Sequence, residues 1–310
     1  METLLTLARA AHFGAVILLF GQFAYAYAVA PDRQLPPRFR TTLATTLAVA
    51  IVSAVLWLFL EASSMSGLPV GEAWREGAVG TVLRDTHFGN VCVVRLAVAI
   101  LVAGVGFAMD PMERPIARAI CAIGALAILA SLAACGHAAA GTGTQGEIRL
   151  AADALHLIAA GAWLGALVPF AALLRRSRPD AQGLEDAQHA AARFSVLGVA
   201  AVAVIVFTGI VNARYTVRTM EALTGSRYGM ELLAKVSIFA VILLFASVNR
   251  WRLTPRIATA AEGPAALRAL RVNTLLELVL GLAIVAIVAN LGITMPPPHE
   301  GATMPMHHHG

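Results

Sequence analysis

The chain has 310 residues and a mass of 32.4 kDa; 58% of its residues are apolar, 13% are charged, and its mean hydropathy is +0.75. Soluble domains carry about 25% charged residues and roughly 45–50% apolar ones, so a soluble globular protein, a disordered chain and a collagen-like repeat are all excluded. Three cysteines, Cys92, Cys121 and Cys135, are too few for a disulfide framework. The formal charge of +5 rests on 23 basic residues, all arginine except Lys235. In so apolar a chain they read as loops held at an anionic bilayer, not as a nucleic-acid surface.

Long apolar runs occupy 4–29, 41–60, 88–108, 116–136, 150–174, 195–213, 230–249 and 272–293. Each is long enough to cross about 30 Å of hydrocarbon at 1.5 Å per residue, and a helix satisfies its own backbone in lipid. The fold class is therefore all-α: a polytopic membrane bundle of eight transmembrane helices, here numbered as spans 1–8. The first run is too long and too aromatic for a cleaved signal and is kept as a helix. Loops after spans 1, 3, 5 and 7 hold twice as many arginines as the opposite set, most densely Arg250, Arg252, Arg256, Arg268 and Arg271. The positive-inside rule places these loops in the cytoplasm and both termini in the periplasm. The outward segments 61–86 and 214–229 are long enough for short interfacial helices, with Trp74 as an interface anchor.

Span 1 carries His12, Ala15 and Gly21; span 5 carries His156, Ala159 and Gly165 at the same spacing. Span 3 opens with Phe88-Gly89 and Arg95, span 7 with Tyr228-Gly229 and Lys235, again at one spacing. The offsets equal four helices, an even number, which predicts a parallel repeat about an axis normal to the membrane. The expected organisation is an N-terminal four-helix half over 1–140, a C-terminal half over 141–294, and a flexible periplasmic tail over 295–310.

Histidines carry the chemistry. On the predicted topology His87 opens span 3 and His137 closes span 4 at the outer surface, while His12 and His156 lie roughly 9–12 Å below it. His189 falls in a polar cytoplasmic loop. An imidazole within a membrane is costly unless paired or working, and four at one level point to a shared site in which His12, His87, His137 and His156 converge in one cavity open to the outside. Imidazole suits copper among other metals, and the neighbouring soft groups Cys135, Met65 and Met295 favour it, as Cu⁺ or Cu²⁺. The tail repeats the theme with Met295, His299, Met304, Met306 and His307-His308-His309. Arg95 and Lys235, about 10 Å inside their spans, have two readings: snorkelling to the outer interface, or holding an anion such as a haem propionate. Glu61 and Asp153 are the acidic groups near the mouth. Haem bound by His12 and His156 as axial ligands, in a membrane oxidoreductase, is the alternative to copper. No phosphate loop, CxxC, His-Glu-x-x-His or Ser/His/Asp set is present, so a non-enzymatic role is expected.

Gly136-His137, then Ala154-Leu155-His156 running to Trp163-Leu164-Gly165, together with Arg193-Phe194-Ser195, Thr208-Gly209 with Asn212, Tyr228-Gly229 with Lys235, and Asn249-Arg250, resembles the CopD copper-resistance family over about 135–250. Ala166 stands where that family usually has a second glycine. The resemblance implies an inner-membrane copper-homeostasis protein that receives copper from a periplasmic CopC-type carrier and relays it inward. The helix from His156 to Trp163 is also similar to one in HemJ-type haem-biosynthesis membrane proteins, which supports the haem alternative.

Overall fold

The computed structural model describes residues 1–30, 38–136, 143–216, 219–259 and 261–294. Among these the chain is helical without strands, and eight helices are long and apolar enough to cross a membrane: Glu2–Ala28, Phe39–Ser66, His87–Ala108, Pro115–Cys135, Gly143–Arg176, Ala181–Thr216, Arg227–Ile257 and Gly263–Leu291. They are spans 1–8 in order. The tail 295–310, and with it Met295 and the terminal histidines, lies outside the described residues, as does His137.

Several spans run further than their apolar cores. Span 6 begins at Ala181 and not near 195, because 181–194 is rich in Ala and other strong helix formers, and Asp180 Oδ1 accepts from the Gly183 N–H 2.8 Å away at its start. His189 is therefore on a helix and not in a loop, though still exposed. Span 8 begins at Gly263, with Pro264 filling a first-turn position that needs no N–H donor. Short helices Val70–Arg75, Ala78–Asp85 and Met220–Gly225 occupy the two segments expected to hold them. Trp74 is exposed there and stacks on Phe59 with centroids 5.4 Å apart.

Spans 1 and 5 form the centre. Span 1 packs on spans 2, 4, 5 and 8, and span 5 on spans 1, 4, 6 and 8. Their crossing is set by glycine: a Cβ on Gly21 would sit inside the backbone of Gly165 and 2.6 Å from the Ala166 nitrogen, and one on Gly165 would meet the Ile17 carbonyl and lie 2.8 Å from Gly21 Cα. Two residues at equivalent repeat positions thus touch each other. One apolar cluster gathers Val16, Leu19, Trp57 and Ile128 around spans 1, 2 and 4. A second gathers Trp163, Leu167, Phe170 and Leu270 around spans 5, 6 and 8. Large apolar side chains such as Phe107, Phe207 and Val279 stay on the outside, as expected of surfaces that face lipid.

The repeat extends to detail. Thr86 caps span 3 by accepting from the Gly89 N–H (2.9 Å), and Ser226 caps span 7 by accepting from the Gly229 N–H (3.0 Å). In both caps the glycine lets the helix start press on the preceding short helix, since a Cβ would collide with Val82 O or with Leu223 O.

Candidate functional site

The histidine positions resolve into two centres, one in each half. His12 is 1% exposed; its Nδ1 lies 3.0 Å from Ala50 O and 3.2 Å from Ser53 Oγ on span 2. A carbonyl only accepts, and Ser53 spends its own proton on Val49 O (2.6 Å). Nδ1 must therefore carry the hydrogen, and Nε2 presents a bare lone pair, buried and without a partner. His156 repeats the device: its Nδ1 lies 2.9 Å from Thr208 Oγ1 on span 6, and that hydroxyl donates to Val204 O (2.6 Å). A histidine whose Nδ1–H is tied and whose Nε2 is presented is the arrangement that orients metal-binding imidazoles.

The two imidazoles are tied to different helices, His12 to span 2 and His156 to span 6. Nine residues separate His12 from Gly21 and His156 from Gly165. Nine steps of roughly 100° put each histidine about half a turn away from its glycine. Since the glycines face each other, the histidines face apart, each into its own half. That direction runs against one ion held jointly by His12 and His156 and favours one centre in each half. The haem reading in which both are axial ligands would need one iron to reach across the central helix pair. Among the described residues no three His, Cys, Asp or Glu side chains form a group placed to hold a metal. His87 is exposed at the start of span 3, beside Phe88, whose ring packs on Trp57 at 5.2 Å.

Around His12 the N-terminal half builds a dense polar pocket on Trp57. The indole lies 5.7 Å from the His12 ring, and its Nε1–H donates to Glu61 Oε2 at 3.0 Å. Arg9 stacks over it at 4.8 Å and Arg95 at 5.6 Å. Arg95 is 2% exposed and does not snorkel to the outer interface, which corrects that expectation for this residue. It donates to Ser131 Oγ (2.8 Å), Ser131 O (3.1 Å) and Cys135 Sγ (3.1 Å), and its Nη1 has no partner. Arg9, counted by position among outer charges, is 5% exposed and donates to Ala289 O on span 8 at 3.1 Å. Its signal was available, since it precedes His12 by three residues and so shares its helix face. Ser53 gave no signal, because a serine inside an apolar run has many ordinary uses.

Around His156 the set is different. Asp153 Oδ1 accepts from Asn212 Nδ2 at 3.3 Å, Gly209 lies beside the imidazole, and Lys235 on span 7 is partly buried. Glu231 accepts from Asn290 Nδ2 at 2.7 Å, tying span 7 to span 8. Seven residues below His156 on the same face of span 5, Trp163 meets Phe239 of span 7 edge-on at 6.1 Å and lies against Gly198 of span 6. These rings form a layer beneath the His156 centre.

Comparison with known proteins extends the likeness beyond the motif-bearing segment. Residues 1–147 match the family described as copper resistance protein D-like, N-terminal domain, and residues 188–291 match copper resistance protein D. Copper resistance protein D of Pseudomonas syringae pv. tomato is 30% identical over 294 residues, covering 92% of this chain and 93% of that protein. Inner membrane protein YebZ of Escherichia coli (strain K12) is 27% identical, covering 80% of this chain and 84% of its own length. Copper transport protein CutJ of Bacillus subtilis (strain 168) is 25% identical over 70% of this chain, which spans only 40% of that longer protein. No solved structure matches the chain. With similarity running across both halves and eight apolar spans to carry it, this chain belongs to the copper resistance protein D family and is a multi-pass inner-membrane protein.

Proposed function

We propose that this protein takes up copper at the face that carries residue 1 and relays it across the inner membrane, with His12 and His156 as separate ligand centres in the two halves. The observation that carries the reading is the buried His12 Nε2, its lone pair unpartnered while Nδ1 is locked to span 2. Names of relatives point to the same metal: one is a copper resistance protein and another a copper transport protein. In the N-terminal half Cys135 is the soft partner for His12, its sulfur held by Arg95, and Glu61 offsets part of the positive charge of Arg9 and Arg95. His87 and His137 serve entry at the mouth, where a periplasmic CopC-type carrier would deliver the ion. A purely non-enzymatic role fits a cargo site without an activated nucleophile. Copper uptake into proteoliposomes containing the purified protein tests the reading: time-dependent accumulation above protein-free vesicles is expected, and none would refute it.

Orientation follows from the arginines. Moving Arg9 from the outer loops to the bundle interior sharpens the asymmetry. Both termini are expected in the periplasm. A reporter fused after Gly310 that is active only in the periplasm should be active; activity of its cytoplasmic counterpart would invert the topology.

A further inference from the structure

At the opposite, arginine-rich end of the C-terminal half lies a cavity of about 390 Å³ between spans 5, 6, 7 and 8. It takes up motif residues that the histidine centres leave unused: Trp163, Phe194, Ser195, Asn249 and Arg250. One wall is Glu277 of span 8, a carboxyl group 2% exposed within a run of apolar residues. Asn249 Nδ2 donates to Glu277 Oε1 at 2.6 Å, and Asn273 Nδ2 donates to Asn249 Oδ1 at 2.8 Å. Asn249 opens a π-helical turn, Asn249–Leu253, a distortion that often marks functional sites and here swings its amide onto span 8.

The charge balance is what singles this residue out. Among the residues lining the cavity the other charged group is Arg250, and its guanidinium is turned to Ser195 Oγ at 2.5 Å on span 6. Spans 5 and 6 present aromatic, aliphatic and hydroxyl groups to the cavity, with no titratable side chain, and span 8 adds Thr274. Arg271, nearby in sequence, is committed to Leu174 O and Ser177 O at the end of span 5. An ionised carboxylate inside a membrane without a paired cation is costly, and such groups mark ion or proton pathways. The donor set is oxygen and amide, without imidazole or sulfur, which does not suit copper. The small cation that fits a single carboxyl group beside a cavity large enough for several waters, at about 30 Å³ each, is a proton.

We propose that Glu277 is a proton-exchange site open to the arginine-rich face through this cavity, and that it exchanges its proton for copper arriving through the C-terminal half. The exchange balances charge: Glu277 takes its proton from water in the cavity at the arginine-rich face. As one Cu⁺ passes inward from beyond the Trp163–Phe239 layer, without being held by the oxygen and amide groups, that proton is released toward the opposite face, so one positive charge crosses each way. The proton site stands on the cavity and its charges alone; the exchange rests on the copper reading above. Gly281, four residues along span 8, receives Leu164 of span 5, so Glu277 and the aromatic layer sit on one packed contact.

Infrared difference spectra of the full chain in lipid test the site. The wild type should show a protonated-carboxyl C=O band that shifts in D₂O and vanishes on raising the pH, and Glu277→Gln should lack it. Asn249→Leu, which keeps the carboxyl group, should retain the band at a shifted frequency, so the assignment survives if the first variant does not fold. Absence of such a band at every pH, or a band that never exchanges deuterium, overturns the proposal. In proteoliposomes holding a pH dye, a Cu⁺ gradient should drive protons the other way in the wild type and not in Glu277→Gln. Copper movement with no proton movement overturns the exchange. An intact, exchangeable band with no copper movement leaves the proton site and refutes the copper reading instead.

Discussion

Replacing Gly21 or Gly165 by alanine should be among the most destabilising single-methyl changes in the protein. At either position the added carbon meets backbone of the facing helix and not a flexible side chain, so neither rotamer change nor local repacking relieves it. Overpacking a well-filled interior typically costs 1–3 kcal/mol and sometimes more. Here the cost falls at the upper end or beyond, because the two central spans must separate and every helix packed on them must follow. Gly14→Ala is the matched control: it lies on the same span, a Cβ there meets nothing within 4 Å, and alanine is the better helix former by roughly 1 kcal/mol. Thermal unfolding in mild detergent, followed by loss of the monodisperse peak, should show both Gly21→Ala and Gly165→Ala melting well below wild type and Gly14→Ala at or above it. Equal midpoints for all three would mean that the spans do not cross at these glycines.

The second large effect concerns residues that never touch the ion. Ser53 and Thr208 accept the Nδ1–H of His12 and His156, and so fix which nitrogen each imidazole presents. Loss of an outer-shell partner of this kind typically lowers metal affinity 10–100-fold. Ser53→Ala should weaken only the N-terminal centre and Thr208→Val only the C-terminal one, each by that factor, read by competition with a copper chelator. Ser53→Ala is expected to be the milder, since Ala50 O remains as a second acceptor for His12. An equal loss at both centres from either variant would show that they are coupled, and no loss from either would remove the hydroxyls from the account.

The spans were readable because each holds about 20 apolar residues, and that length is set by the bilayer. The extension of span 6 over 181–194 was not, since Glu185, Asp186, Gln188 and His189 hide a helix from a hydropathy argument. The repeat was visible as paired His, Gly and cation spacings, and its Thr86 and Ser226 caps were within reach of the same comparison. Depth along each helix was also legible, which is why four histidines seemed to meet at one level. Direction around the helix needed the identity of the facing surface: nine residues put His12 opposite Gly21, yet only the packed structure shows that Gly21 faces Gly165. Arg95 gave no sequence sign of its partners, because Ser131 and Cys135 are 36 and 40 residues away. Glu277 was hidden for a similar reason, its amide partner Asn249 lying 28 residues earlier on another span.

The central claim is that copper is held at two independent histidine centres, and the copper-to-protein ratio of purified wild type, His12→Ala, His156→Ala and the double variant tests it directly. Separate centres predict additive losses: each single variant loses the copper of its own half and retains the other, and the double variant binds none tightly. A single variant that loses all bound copper would restore the shared ion, and a double variant with the full wild-type ratio would contradict the account altogether.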